Sequence, residues 1–378
     1  MAVGEARRWF DRSRSRPQTG SGRLIAPPAL FLLLIALLLF SMLLALGIGS
    51  FSISPGESVA ILLDRAHALH RTQEILSSLH IHWNAAFTEQ QSAVLWAIRL
   101  PRVLEAAMVG GSLAIAGAAL QGVFRNPLAD PGVIGVSAGA SLGAVLSILL
   151  GVSLFGRFST PIAAFATGLG TALLVYSLAR FHGRTEVVTL ILTGVALNSI
   201  AGAFTGFLIT IANDAQLRSI TFWQLGSVGG ATWQSVTAMA PFALAGFILL
   251  PRWGSQLNLF VLGEKEARHL GVSTERVRLG VVMVSALIVG SSVAFTGTIA
   301  FVGLVVPHAI RLAAGPDHRV LLPASAIAGA GLLVLTDLLA RTVATPLEVP
   351  IGVVTALIGG PFFLFLLART RRQQGGWG

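Results

Sequence analysis

Four histidines crowd one stretch of this sequence: His67 and His70 at helical spacing, then His80 and His82. Imidazoles grouped in this way can hold a metal ion or ligate the iron of a heme. A solvated surface helix with incidental histidines has the same spacing. A second set of polar groups, Gln121, Ser137, Ser141, Asn198, Ser199 and Thr205, lies inside apolar runs. Neutral donors and acceptors suit the passage of a bulky substrate better than that of a small ion. Ionisable groups at such positions are few, although ion-coupled transporters rely on them. Glu105 and Glu348 fall near the ends of apolar runs, and Asp337 has Arg341 one helical turn later. That i,i+4 spacing predicts a pair that neutralises itself. No HExxH or paired-carboxylate pattern occurs. The one lysine, Lys265, sits in LGEKEAR without the glycine loop that cradles a phosphate. Cysteine is absent, which removes thiolate chemistry and cysteine metal sites. The residues describe passage rather than catalysis, and no permanently bound cofactor or metal is expected. Energy for active transport must come from an ion gradient or from a partner.

The elements that position these groups are apolar runs. Only 11% of the 378 residues are charged and 54% are apolar, whereas about 25% charge is usual for a soluble domain. The net charge of +10 is almost all arginine. A basic balance can signal nucleic acid, but these arginines lie between runs about 20 residues long, enough to cross a bilayer core of about 30 Å. The expected fold is an all-α polytopic membrane protein of ten spans. They fall near 28–49, 103–124, 132–151, 160–180, 187–211, 233–250, 279–299, 300–314, 320–340 and 349–368. The first run is longer than the apolar core of a signal peptide and is read as an uncleaved span. Gly297, Gly303 and Pro307 divide the long apolar region 279–314 into two helices.

Charge placement tests this count. With both termini in the cytoplasm, nineteen basic residues lie inside, including the arginine-rich tail 1–27 and the tail 370–378. Seven lie outside: Arg65, Arg71, Arg99, Arg102, Arg157, Arg218 and Arg341. This bias agrees with the positive-inside rule. Residues 28–369 form one membrane domain with an outer loop at 50–95 and an inner segment at 252–278. Glycine recurs every fourth position at Gly135, Gly139 and Gly143, and again at Gly194, Gly202 and Gly206 around Asn198. Small residues at this spacing allow close helix contact, and those not used for packing would face a passage.

The segments RLPRVLEAAMVGGSLAIAGAALQGVFRNPLADPGVIGVSAGASLG (99–143), LGEKEARHLGV (262–272), GTIAFVGLVVPHAIRLAAGPDHRVLLPASAIAGA (297–330), DLLAR (337–341) and PLEVPIGVVTALIGGPFFLFLL (346–367) occur in that order. Together they resemble the permease subunits of ABC importers for iron–siderophores, heme and cobalamin, over about residues 53–369. The resemblance implies a type II ABC importer permease fold in the bacterial inner membrane. It implies a homodimer, two cytoplasmic ATP-binding subunits and a periplasmic or surface-anchored substrate-binding protein. Nucleic acid has no place in that assembly. Arg99, Arg102 and Arg341 match arginines that meet glutamates of the binding protein. Gly263, Glu264, Ala267, Leu270 and Gly271 match the segment that couples to the ATPase. The segments look most like heme-importing members, so heme is the expected substrate, with a ferric siderophore or cobalamin as alternatives. An ion-coupled secondary transporter and a signalling or scaffold membrane protein are the readings of a different class. The arginine-rich tail and the histidine loop depart from the family pattern.

Overall fold

The computed structural model describes residues 25–49, 51–66, 86–181 and 184–373, the last eight as backbone only. The arginine-rich tail to Gly20 and the histidine set His67, His70, His80 and His82 lie outside the described residues.

The described residues are mainly helical. Helix α1 (Pro27–Gly47) is followed by α2 (Pro55–Arg65) and α3 (Glu89–Val94) on the outer side. A π turn, Leu95–Arg99, joins α3 to α4 (Leu100–Phe124) without a break. Next come α5 (Val136–Leu149), α6 (Ser159–Leu178) and a two-stranded ribbon, β1 (Arg180–Phe181) with β2 (Arg184–Thr185). After them run α7 (Val187–Thr210), α8 (Asp214–Leu225), α9 (Trp233–Arg252), α10 (Gly254–Phe260) and α11 (Glu264–His269). The chain closes with α12 (Thr274–Thr296), α13 (Val302–Ala314), α14 (His318–Thr342) and α15 (Ile351–Gln373). Seven of these helical stretches are long and apolar enough to cross a bilayer, and α5, α13 and α15 are shorter apolar helices. These are the ten expected spans.

Helix α4 forms the axis of the bundle, with α9, α12, α13 and α14 packed around it. Its apolar residues from Val103 to Val123 are almost all buried. Lipid supplies no hydrophobic drive between helices, so backbone approach must hold them together. A Cβ on Gly110 would lie 2.2 Å from the Gly329 carbonyl of α14, and one on Gly117 would lie 1.9 Å from that of Gly303 in α13. The expected glycine seam on α5 is real: Cβ atoms on Gly139 and Gly143 would overlap Thr171 and Thr167 of α6. On α7 the repeat splits. Gly194 packs against the Val133 carbonyl, whereas Gly202 and Gly206 face open space.

Two expectations are revised. The second span starts fourteen residues earlier than 103, because helix runs without interruption from Glu89 to Phe124. The outer connection 212–232, to which the span assignment gives no element, contains α8. Its sequence signal is a capping box in which Asn213 and Gln216 exchange side-chain-to-backbone hydrogen bonds of 3.0 and 3.1 Å. The Gln216 amide also donates to the Leu149 carbonyl at the end of α5 (3.0 Å).

Candidate functional site: a polar cleft between two charged ends

Residues of α5, α7, the end of α8 and the turn between α12 and α13 line an open cleft of about 470 Å³. Its walls carry Ser137, Ser141, Thr205, Gln224 and Thr298, with Gly202 and Gly206 as the bare strip of α7. The turn exists because Gly297 adopts φ +71° and Phe301 φ +68°, which end α12 and restart the chain as α13. Thr298 Oγ1 donates to the Gln224 carbonyl, and Ser227 N–H donates to the Thr296 carbonyl at 2.8 Å. These bonds pin the end of α8 to the turn. Thr205 Oγ1 is buried and has no hydrogen-bond partner among the described residues. The lining is neutral.

Three of the six expected passage residues therefore meet: Ser137, Ser141 and Thr205. The other three lie elsewhere. Gln121 is buried under the inner end of α4, where its amide donates to the carbonyls of Ala129 and Gly303 (3.3 and 3.2 Å) and its oxygen accepts from Arg311 (2.8 Å). Asn198 Nδ2 ties α7 to the Gly132 carbonyl at 3.0 Å. Ser199 lies on the exposed face of α7 and donates to the Val195 carbonyl.

At the outer end, the three expected docking arginines are engaged within the chain. Arg99 ends the π turn, which swings its side chain inward until it is 4% exposed. Its guanidinium donates to the carbonyls of Leu46 and Gly47 in the last turn of α1 and of Phe51 just beyond it. The same carbonyl-rich corner takes Arg341, which donates to Ala45. Arg102 forks onto both oxygens of Asp337 at 2.9–3.1 Å and onto both oxygens of Glu348 at 2.9 and 3.0 Å. The i,i+4 pairing expected of Asp337 is thus secondary: Arg341 Nε stays 3.8 Å away, while Arg102 holds the carboxylate in a bidentate grip. The reason is distance in sequence: the partner comes from α4, 235 residues earlier. Arg65, Arg157 and Arg218 are the exposed outer arginines among the described residues.

Glu348, on the loop before α15, is held below the ordinary carboxylate range of 4.5 chiefly by its hydrogen bond to Arg102. A depressed folded value stabilises the fold above the unfolded pKa and loses that contribution as pH falls through the folded one. Glu348→Gln is therefore expected to lower the melting midpoint at pH 7 and to leave it unchanged at the acid end, below the folded pKa. Parallel melts of the two purified chains across that range check this.

At the inner end, α10 and α11 carry the segment expected to meet an ATPase. Gly263 caps α11 at φ +118°, where a Cβ would strike the Glu266 carboxylate at 2.1 Å, and Gly271 follows at φ +85°. Ala267 is fully buried, so it seats α11 on the body. Val261, Leu262 and Leu270 are each at least 60% exposed. Apolar side chains clustered on a charged inner surface mark an interaction site.

Sequence reasoning missed the network behind α11. Arg278, 1% exposed, is the largest fully buried side chain among the described residues. It donates to Glu264, to Glu275 (3.0 Å) and to the Thr185 carbonyl. Glu275 also accepts from the Tyr176 hydroxyl at 2.7 Å and from the Thr185 N–H at 3.2 Å. The available signals were the i,i+3 pair in TERVR and the sole tyrosine. Among the described residues, no group of three or more His, Asp or Glu converges as a metal site.

Ten apolar helices, a central neutral cleft and an apolar inner knob define a multi-pass membrane permease. The FecCD transport family model matches residues 37–369, and the chain belongs to that family. It is an ABC importer permease. The hemin transport system permease protein HmuU of Yersinia pestis is 42% identical over 297 residues, covering 78% of this chain and 89% of that protein. The cobalamin import system permease protein BtuC of Halobacterium salinarum is 45% identical over 280 residues, 74% of each chain. A solved chain, described as an inward-facing conformation of an ABC transporter of metal-chelate type, superposes with a TM-score of 0.77. It is 33% identical and covers 91% of this chain and all of that one.

Proposed function

We propose that the chain is the transmembrane subunit of a binding-protein-dependent importer of heme in the bacterial inner membrane. Two copies form the passage, and two separate cytoplasmic ATP-binding subunits drive it. The observation that carries this reading is the neutral cleft of Ser137, Ser141, Thr205, Gln224 and Thr298 beside the bare glycines of α7. Exposed apolar residues stand on α7, which lines it, and on α15, among them Phe204, Phe207, Leu357 and Ile358. A second copy facing them completes a lined passage and leaves no charged group in the path of an apolar ring. Heme fits such walls through its faces, and the hemin permease relative supports that choice. The cobalamin permease relative is equally similar and supports cobalamin as the second reading.

The chain reconstituted in liposomes with its ATPase and binding protein, then offered heme, a ferric siderophore and cobalamin in turn, tests the substrate. Saturable uptake of heme above the other two is expected. Preference for either of the others replaces heme without touching the family.

Docking of the binding protein falls to the exposed arginines. Arg157 and Arg218 are exposed, and Arg157 would give up a hydrogen bond to the Thr232 hydroxyl, whereas the buried or part-buried Arg99, Arg102 and Arg341 would first have to release several internal partners. The double change Arg157→Glu and Arg218→Glu is expected to weaken binding-protein association by about tenfold and to reduce its salt dependence, since charges at a rim act chiefly on encounter. Titration at two salt concentrations reads both effects.

A further inference from the structure

The buried guanidinium of Arg278 joins four separate parts of the chain. Glu264 belongs to α11, Thr185 to the ribbon between α6 and α7, Tyr176 to the end of α6, and Arg278 and Glu275 to the first turn of α12. The ribbon leads directly into α7, whose Gly202, Thr205 and Gly206 line the polar cleft. The bonding is uneven in a way that matters. Glu275 is fixed by Arg278, by the Tyr176 hydroxyl and by both the N–H and the hydroxyl of Thr185. Among the described residues, Glu264 makes ion pairs with Arg278 and, at 3.5 Å, with Arg268 of its own helix. Two carboxylates therefore share one buried guanidinium. If Glu264 withdraws, Arg278 and Glu275 still neutralise each other, so no uncompensated charge is left behind. A cleft of about 740 Å³, bordered by Glu264, Arg268, Glu275, Arg278, Thr185 and Val188, gives α11 room to shift.

We infer that Arg278 is a relay: the Glu264 arm of α11 is a releasable link through which movement of the inner segment is passed to the ribbon and α7, and so to the width of the cleft. Arg278 is a positioning residue, and Glu275 keeps it in register. The inference rests on the proposed role of α11 as the ATPase contact, and it specifies how that contact reaches the passage.

Hydrogen exchange on the purified full chain in nanodiscs tests the link without any ATPase. Glu264→Gln removes the charged arm. Exchange is expected to rise about fivefold at 263–271 and also at 180–188, the size expected for residues on a coupling network. A rise confined to 263–271 overturns the relay, because it makes Glu264 only a local brace of α11.

In the reconstituted complex, Arg278→Lys keeps the charge but loses the fork. It is expected to lower the substrate imported per ATP hydrolysed by about tenfold. An unchanged ratio overturns the relay. Glu275→Gln serves as the second variant, with the same expected fall. If the parent chain assembles with no ATPase, the functional reading fails, and the exchange result still decides whether the link exists.

Discussion

Arg102→Ala is expected to be the most damaging single change outside the membrane passage. Asp337 is 2% exposed and relies on the bidentate Arg102 grip. Truncating one partner of a buried ion pair strands the other, at a cost of about 3 kcal/mol or more. The melting midpoint should fall by roughly 5–10 °C. Arg341, with its Nε at 3.8 Å, is too far to replace the fork. Asp337→Ala added to Arg102→Ala should recover part of the loss, because the stranded charge is gone. A double variant no more stable than Arg102→Ala alone would mean that packing, rather than charge pairing, sets the cost. The same fork ties α4 to α14 and to the loop carrying Glu348. Loss of the outer corner should therefore accompany the loss of stability.

Gly206→Trp is the second large effect, and it separates passage from folding. A Cβ at Gly206 meets no atom within 4 Å, and the residue borders the cleft. The indole therefore enters the cavity without straining the helix. Forcing about 1–3 kcal/mol of overlap on a bound substrate corresponds to about fivefold to a hundredfold in occupancy, so uptake should fall by at least about fivefold. The melting midpoint should stay where it is. Gly117→Ala provides the opposite pattern: its Cβ would lie 1.9 Å from the Gly303 carbonyl. Helix separation there should cost stability first. Uptake in liposomes together with thermal melts distinguishes the two glycines, although nothing in their sequence spacing does.

The ten spans were legible because each needs a run of apolar residues, and the rule that basic residues stay inside fixed their direction. What the sequence hid was long-range satisfaction of charge. Arg99 and Arg102 read as outer-loop residues because an arginine next to an apolar run normally stays in water. In the folded chain, backbone carbonyls at the end of α1 and a carboxylate from α14 satisfy them inside a continuous helix. For the same reason Arg102 was missed as the closer partner of Asp337, beside its i,i+4 pair with Arg341. Helix α8 escaped notice because its sequence, DAQLRSITFWQL, lacks the hydropathy of a span, and the Asn213–Gln216 capping box was its one local mark. Of the residues that line the cleft, Ser137, Ser141 and Thr205 could be named from polarity inside apolar runs. Gln121 has the same polarity, but Arg311 and two carbonyls claim it. Gln224 and Thr298 reach the cleft through the end of α8 and the turn at Gly297, neither of which has a periodic signature.

The central claim is that this chain is a passage driven by ATP hydrolysed elsewhere. Uptake into proteoliposomes that hold the chain, its ATPase and its binding protein tests it most directly, with ATP, a non-hydrolysable ATP analogue or an imposed proton or sodium gradient supplied in turn. The account predicts accumulation with ATP alone and none with the analogue or with either gradient. Accumulation driven by a gradient in the absence of ATP would contradict it.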